Sequence, residues 1–239
     1  MAFEWKEAII VNIIDETPTT KRFFFEVKDG SIFDFTPGQF ITLDLPIHEK
    51  RNKRWRSYSI ASYPNGTHQF ELVIVLLEGG LGTTYLFNEV KVGDTVSFRG
   101  PQGVFILPKT LDKDLYLICT GTGVAPFRSM VHFIHQNKIP HQAIHLIFGC
   151  RKFTDCLYEQ ELKQLEKDDE KQEVIQAVVI YGQGRLQGPA LSLVLPLFLR
   201  VSGPNPARGG NLPARIAYCR YSVKLRFLWG LRGRLSPKG

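Results

Sequence analysis

No Asp or Glu occurs from Gly182 to Gly239 of this 239-residue chain, although 23 acids lie before that point. The same stretch holds 10 of the 30 Lys and Arg, a net charge of +10, against −3 for residues 1–181. At the density of acids in the preceding part, it should contain about seven. The overall charge of +7 therefore belongs to this tail, and a nucleic-acid surface on the body of the chain is not expected. Long apolar runs are also lacking. The longest late one, Pro189 to Leu199, falls well short of the roughly 20 residues that a membrane-spanning helix needs. Met1 to Glu7 is charged at once, without an apolar leader, so no membrane is expected and the cytoplasm is the expected compartment. Cysteine is scarce: Cys119, Cys150, Cys156 and Cys219 are scattered, outside the close clusters that hold zinc or iron–sulfur centres, and each reads as a buried free thiol. His132, His135, His141 and His145 are scattered too. His132 and His135 share a helix without an evident third ligand, so no metal is expected and these histidines read as solvated.

What is present falls into two grammars. Ala8–Ile14, Lys21–Val27, Gln39–Leu45, Ser57–Ser62, Phe70–Leu77 and Thr95–Gly100 are short runs rich in Ile, Val, Phe and Thr. Turn formers at 28–30, 36–38 and 64–66 separate several of them. Six such strands in about a hundred residues predict a small closed antiparallel β-barrel. After Pro108 the pattern becomes α/β. Strands are expected at Leu115–Thr120, Ile144–Gly149 and Val174–Ile180, with helices at Pro126–Asn137 and Cys156–Lys167. That alternation means a parallel sheet with crossover helices. The expected division is 1–108 for the barrel, 109–181 for a partial doubly wound domain, and 182–239 for an atypical, Pro-broken basic tail. Three parallel strands without further β-α units would leave an apolar edge uncovered.

Three segments carry chemistry. Arg56-Ser57-Tyr58-Ser59 sets a guanidinium, a flat aromatic ring and hydroxyls on one strand, a set suited to a pyrophosphate, a heterocycle and a ring nitrogen. Arg56 and Ser59 fall on opposite faces of an ideal strand, so a bulge or twist is expected there. Taken alone, the segment reads equally as an exposed Arg beside a half-buried Tyr. Gly79-Gly80-Leu81-Gly82-Thr83-Thr84 follows a strand and opens a helix, where backbone amides can meet phosphate; the alternative is a flexible loop. Thr120-Gly121-Thr122-Gly123-Val124-Ala125-Pro126 joins a strand to a helix, the place where doubly wound folds bind dinucleotides, though it lacks the common G-x-G-x-x-G spacing.

Together and in this order, the motifs resemble the ferredoxin–NADP reductase family. Arg56, Tyr58 and Ser59 match its R-x-Y-S signature, and Gly80, Gly82 and Thr83 its second flavin segment. Gly100-Pro101-Gln102-Gly103-Val104-Phe105 is similar to the segment that closes its barrel. Thr120 to Pro126 resembles its nicotinamide loop, and Phe148-Gly149-Cys150-Arg151 its next strand end. Tyr158 and Glu161-Leu162 also fit, so the resemblance covers residues 5–181. It implies that Arg56 holds the flavin pyrophosphate, that Tyr58 packs on the isoalloxazine and that Ser59, the implied catalytic residue, hydrogen-bonds near N5. Ser57 and Val73 would complete the flavin site, with Gly80, Gly82, Thr83 and Thr84 around phosphate. Thr120, Gly121, Thr122, Gly123, Pro126, Gly149 and Arg151 would line the nicotinamide dinucleotide, Thr122 lying where the two cofactors meet.

The implied function is hydride transfer from NAD(P)H to FAD (FMN being the less expected flavin), then electron release to a separate acceptor. Ferredoxin, flavodoxin, an oxygenase component or a small molecule would serve. Other readings are a non-catalytic flavin-binding or electron-transfer subunit and, on net charge alone, a nucleic-acid-binding barrel. NADH and NADPH are not distinguished. The family pattern fails late: Cys219 is followed by Arg220 and Tyr221 rather than by the family's Cys-Gly segment, and the tail has no Met. Loss of acids and loss of pattern coincide, so a frame-shifted or otherwise aberrant end is expected from about residue 181. Reading the coding DNA in its other two frames checks this.

Overall fold

The computed structural model describes residues 4–168, 175–181 and 215–218. Its first unit is a six-stranded antiparallel sheet: β1 (Trp5–Thr17), β2 (Thr20–Val27), β3 (Phe40–Asp44), β4 (Trp55–Ser59), β5 (Gln69–Val75) and β6 (Thr95–Gln102). The spatial order is β4-β3-β6-β1-β2-β5. A bridge between Ile60 and Leu72 joins the two edge strands, so the sheet closes on itself as expected from its six short runs. Helix α1 (Leu81–Asn88) follows β5 and opens within the glycine segment, as expected.

Aromatic residues fill the barrel. Phe23, Phe25, Phe33, Phe35, Phe70 and Phe98 are buried in one cluster with Ile10, Ile41, Leu43 and Leu72. Phe25 and Phe70 stack 5.0 Å apart, and Phe33 meets Phe98 edge-on at 5.7 Å. Strand β5 is buried on both faces for a different reason on each. Phe70, Leu72 and Ile74 point into the barrel core, whereas Val73 packs in the core of the second unit and Glu71 is buried between the units. Alternation of side chains along the strand makes this possible.

The second unit comprises β7 (Leu115–Thr120), α2 (Ala125–Gln136), β8 (Ile144–Cys150), α3 (Glu159–Asp168) and β9 (Ile175–Tyr181). The elements lie within a few residues of their expected positions. β7, β8 and β9 pair in parallel, with Thr120 opposite Gly149. The three-stranded sheet expected from sequence gains a fourth member, β10 (Arg215–Tyr218), parallel to β7 in the order β10-β7-β8-β9. The short apolar run Ile216-Ala217-Tyr218, between Pro213 and Arg220, is enough to cover that edge but too brief to stand out in a Pro- and Arg-rich stretch. Cys219 and nearly all of the tail lie outside the described residues.

The units meet at close quarters. Gly38 has φ +102°, and a Cβ there would lie 2.2 Å from the Phe105 carbonyl oxygen and 2.5 Å from Met130 Cε. Only glycine combines that backbone with that contact. Gly38→Ala is expected to cost about 3 kcal/mol or more, from backbone strain plus overpacking. Gly30→Ala, at φ +70° with nothing within 4 Å, carries the strain alone and should cost about 1 kcal/mol. Urea melts of the two variants check the order; equal losses would mean that the Gly38 contact relaxes freely.

Candidate functional site

The strand–turn–helix around residue 80 is tied together by its own backbone and by Thr83. Gly80 is the N-cap of α1 and offers no side chain, so the helix relies on its own backbone: Thr84 N donates to Gly80 O at 2.9 Å. Thr83 Oγ1 accepts from Leu77 N at 3.1 Å and donates to Gly80 O at 3.1 Å, which stitches the glycine loop to the helix start. The first amides of a helix have no intrahelical acceptor and face outward with the positive end of its dipole.

Arg56 arrives at this helix from β4. Its Nη1 donates to the carbonyls of Lys53 and Trp55 at 2.9 and 2.8 Å, which bends the side chain back over its own strand. A Cβ built on Gly82 would lie 2.9 Å from Arg56 Cγ and 3.0 Å from Nε. Two segments singled out separately in the sequence thus touch, and the bare backbone of Gly82 is what lets the arginine lie down on the helix. A guanidinium held beside the first amides of a helix is a donor set chemically suited to an anion.

The remainder of the strand is regular. β3 and β4 pair from Asp44↔Trp55 to Phe40↔Ser59 without a slip, so the bulge expected between Arg56 and Ser59 is absent there. The irregularity falls on the other side of β3, between Phe40 and Thr42 opposite β6. Ser57 Oγ lies 2.9 Å from Thr42 Oγ1 across the strands, Tyr58 packs against the barrel core, and Ser59 ends the strand. Thr84 is exposed on α1.

In the second unit, Gly121–Val124 form a 3-10 turn after β7, with Thr120 exposed before it, Gly123 buried within it and Pro126 buried after it. Pro126 sits in the first turn of α2, where its missing N–H costs nothing. The turn packs against β5 and β8, so it lies beside the strand that carries Val73. Gly149 faces Thr120, and a Cβ there would lie 3.1 Å from the Thr120 methyl. Arg151 lies just beyond β8 with its side chain 76% exposed and Nε 3.9 Å from Asp155. The structure therefore gathers Arg56, Gly80, Gly82 and Thr83 in one place, at the exit of β5, and Thr120 to Gly123 with Gly149 in another, where the 3-10 turn packs against β5 and β8.

Of the groups that join the two units, sequence reasoning named only Tyr158 and Glu161, as part of the family resemblance; Glu71, Arg22 and Arg128 were not singled out. Glu71, 3% exposed, accepts from Arg22 Nε at 2.6 Å, from the Tyr158 hydroxyl at 2.8 Å and from Arg128 Nη1 at 3.1 Å. Arg128 also donates to Glu161 at 2.6 and 2.9 Å and to the Ala61 carbonyl at 2.7 Å. The Tyr158 ring lies between two guanidiniums, 4.8 Å from that of Arg22 and 4.5 Å from that of Arg128. Its backbone, at φ +57°, donates to Glu16 Oε1 at 2.8 Å. The signal was available: Glu71 is an acid within the apolar run Phe70–Val75, and Arg128 falls within the buried first half of α2.

Electrostatics follow from this packing. Burial works against the charge of Arg22 and Arg128, but the bonds and charges of Glu71, and of Glu161 for Arg128, outweigh it and raise both guanidinium pKa values. Burial, then the charge of Glu71, pushes the Tyr158 phenol well above its usual range, so its proton stays in place to donate. Burial opposes ionisation of Glu161 too, yet bonds from His132 and Arg128 bring its pKa down to about 2. His132 bonds Glu161 and stacks on Tyr63, and His145 stacks on Tyr116 at 4.6 Å, so these two histidines are packed and paired rather than solvated. Burial lifts the Cys150 and Cys156 thiols to about 11 and 12, which leaves them protonated and poor nucleophiles. Among the described residues, no group of three or more His, Cys, Asp or Glu side chains could hold a metal. No described helix is long and apolar enough to cross a membrane.

Residues 7–106 match the family profile of the oxidoreductase FAD-binding domain, and residues 117–188 that of the oxidoreductase NAD-binding domain. Ferredoxin–NADP reductase B of Sorangium cellulosum is 34% identical over 166 residues, 69% of this chain and 66% of that protein. NADH-cytochrome b5 reductase 2 of Candida glabrata is 32% identical over 177 residues, 74% of this chain and 59% of that protein. The chain thus spans less than two thirds of the length of these relatives. Among solved structures, a ferredoxin NADP+ reductase from Neisseria gonorrhoeae with bound FAD and NADP superimposes with a TM-score of 0.61 at 25% identity, covering 78% of this chain and 71% of that one.

The charge of Glu161 is stabilising wherever it is ionised in both states, above about its ordinary value of 4.5, and that contribution disappears as pH falls toward its folded value of about 2. Wild-type stability should therefore fall more steeply over this acid range than that of Glu161→Gln, as urea melts at successive pH values would show. Parallel slopes would mean that Glu161 titrates as an ordinary surface acid.

Proposed function

The chain belongs to the ferredoxin–NADP reductase family of FAD- and NAD(P)-binding oxidoreductases, and from that premise we propose that it passes reducing equivalents from NAD(P)H through FAD to a separate acceptor. The relatives named after ferredoxin and cytochrome b5 support an external protein acceptor; flavodoxin, an oxygenase component and a small molecule belong to the same proposal. When bound, FAD supplies the chemistry of taking hydride from a nicotinamide and releasing its electrons one at a time.

The protein's part is to hold and orient. The observation that carries the proposal is the contact of Arg56 with Gly82 at the first turn of α1. In this reading, residues 1–108 form the flavin domain: Arg56 and the amides of Gly82 and Thr83 hold the diphosphate, with Gly80 and Thr84 at its margins. Tyr58 and Ser59 face the flavin ring, Ser57 steadies β4 through Thr42, and Val73 backs the site from β5. Residues 109–181 form the nicotinamide domain, in which Thr120, Gly121, Thr122, Gly123 and Pro126 receive the dinucleotide and Gly149 and Arg151 border it. Positioning of two reactants can supply about 7–11 kcal/mol, and no acid–base group is required of the chain. Residues 182–239 are proposed to be an aberrant end. Loss of the family's last segment would slow turnover while leaving the flavin domain competent.

Arg56→Ala should weaken FAD binding about tenfold to a hundredfold, the worth of roughly 1.5–3 kcal/mol of charge-assisted bonding. Gly82→Val, which drives the arginine off the helix, should act in the same direction. Titration with FAD, read by visible absorbance, checks both. Unchanged affinity in both variants would refute the proposed cradle. A purified chain that is yellow yet not bleached by anaerobic NADH or NADPH would support a non-catalytic flavin-binding subunit instead.

A further inference from the structure

Glu71, Arg22, Arg128, Tyr158 and Glu161 form a buried polar cluster that the proposed hydride step does not consume. Every tie in it crosses between the units or closes on one that does. From the barrel come Glu16 and Arg22 at the β1–β2 end, Ala61 just past β4, and Glu71 on β5; from the second unit come Arg128 on α2, with Tyr158 and Glu161 at the start of α3.

Two features make the cluster directional. Arg128 Nη1 reaches the carbonyl of Ala61, and Ala61 N donates to Glu71 O at 2.8 Å, so the end of β4 and the middle of β5 are held by the same guanidinium. Ala61 lies two residues after Ser59, and Glu71 two residues before Val73. On the other side, Arg128 sits one turn after the Gly121–Val124 loop, in a helix whose residues 125–131 are all buried. The guanidinium is thus the short link between the strand ends that face the flavin and the loop that receives the nicotinamide.

Resting on the proposed function, we propose that Arg128, anchored by Glu71, is the positioning residue that fixes the distance of the nicotinamide loop from the flavin strands. Lysine cannot replace it, because four bonds to three acceptors need a planar fork. Glu71→Gln keeps the shape of the anchor but lowers its hold on two cations. Misplacement of about 1 Å between reactants can cost about a hundredfold in rate, which is the sensitivity that such a link would protect.

The test compares full-length wild type with Arg128→Lys and Glu71→Gln by hydrogen exchange, without added cofactor. Expected is exchange at least tenfold faster at the amides of Ala61, Tyr158 and residues 121–124, with the barrel-core amides of Phe23 and Leu43 unchanged. Exchange unchanged at those linking amides, or accelerated equally throughout the barrel, would overturn the proposal. A second readout uses protein loaded with FAD. The limiting rate of flavin reduction should fall at least tenfold in Arg128→Lys, while FAD affinity and the half-saturating NAD(P)H concentration change less than about twofold. A loss of FAD affinity in place of the rate effect would contradict a positioning role. Should wild type itself take up no FAD, the proposed function fails, while the exchange experiment still decides whether Arg128 fixes the two units.

Discussion

A carboxylate at the centre of the molecule sets the terms for everything around it. Glu71 is buried, and a buried carboxylate is tolerated only where charge and hydrogen bonds replace the water it has lost. Two guanidiniums and a phenol do so. Because those donors come from both units, burying this one acid obliges the barrel and the α/β unit to meet in a single arrangement. The apolar contact alone, in which Ala61 and Val73 join the core of the second unit, would fix the arrangement less tightly, since hydrophobic contact is not directional.

The consequence for the site is geometric. β5 runs between two loops: its own exit leads into the glycine turn and α1 where Arg56 lies down, and its outer face meets the 3-10 turn at Gly121–Val124. β5 is thus held on both faces, by the barrel core inside and by the second unit outside, and it leads directly into the turn where Arg56 lies against α1. The rest of the protein's contribution is passive: a dense aromatic barrel core against which β3 and Tyr58 of β4 pack, and an absence of side chain at Gly82 where Arg56 comes close.

Much of this was legible from residues alone, for physical reasons that differ by element. Strands β1 to β6 announced themselves through β-branched and aromatic runs cut by Gly and Pro, and β7, α2 and β8 through the change to a parallel α/β rhythm. The two glycine turns were legible as strand-to-helix junctions because each follows an apolar strand and opens a helix. The contact of Arg56 with Gly82 was not, since nothing local says that β4 and α1 are neighbours. Glu71 and Arg128 are not legible for the same reason: each satisfies a partner far away in the chain, and a lone charged residue in an apolar run states a need without naming who meets it. His132 was misread as solvated because Tyr63 and Glu161 lie on other elements. β10 escaped notice because its four residues sit in a stretch whose composition argues against any regular element.

The most direct measurement is a crystal structure of the chain grown with FAD. The expected result is diphosphate density between the Arg56 guanidinium and the first-turn amides of α1, with the Glu71–Arg128 link intact behind it. Density for the cofactor elsewhere on the barrel, or clear protein density with the Arg56–Gly82 contact unchanged and no FAD beside it, would contradict the assignment of this cradle.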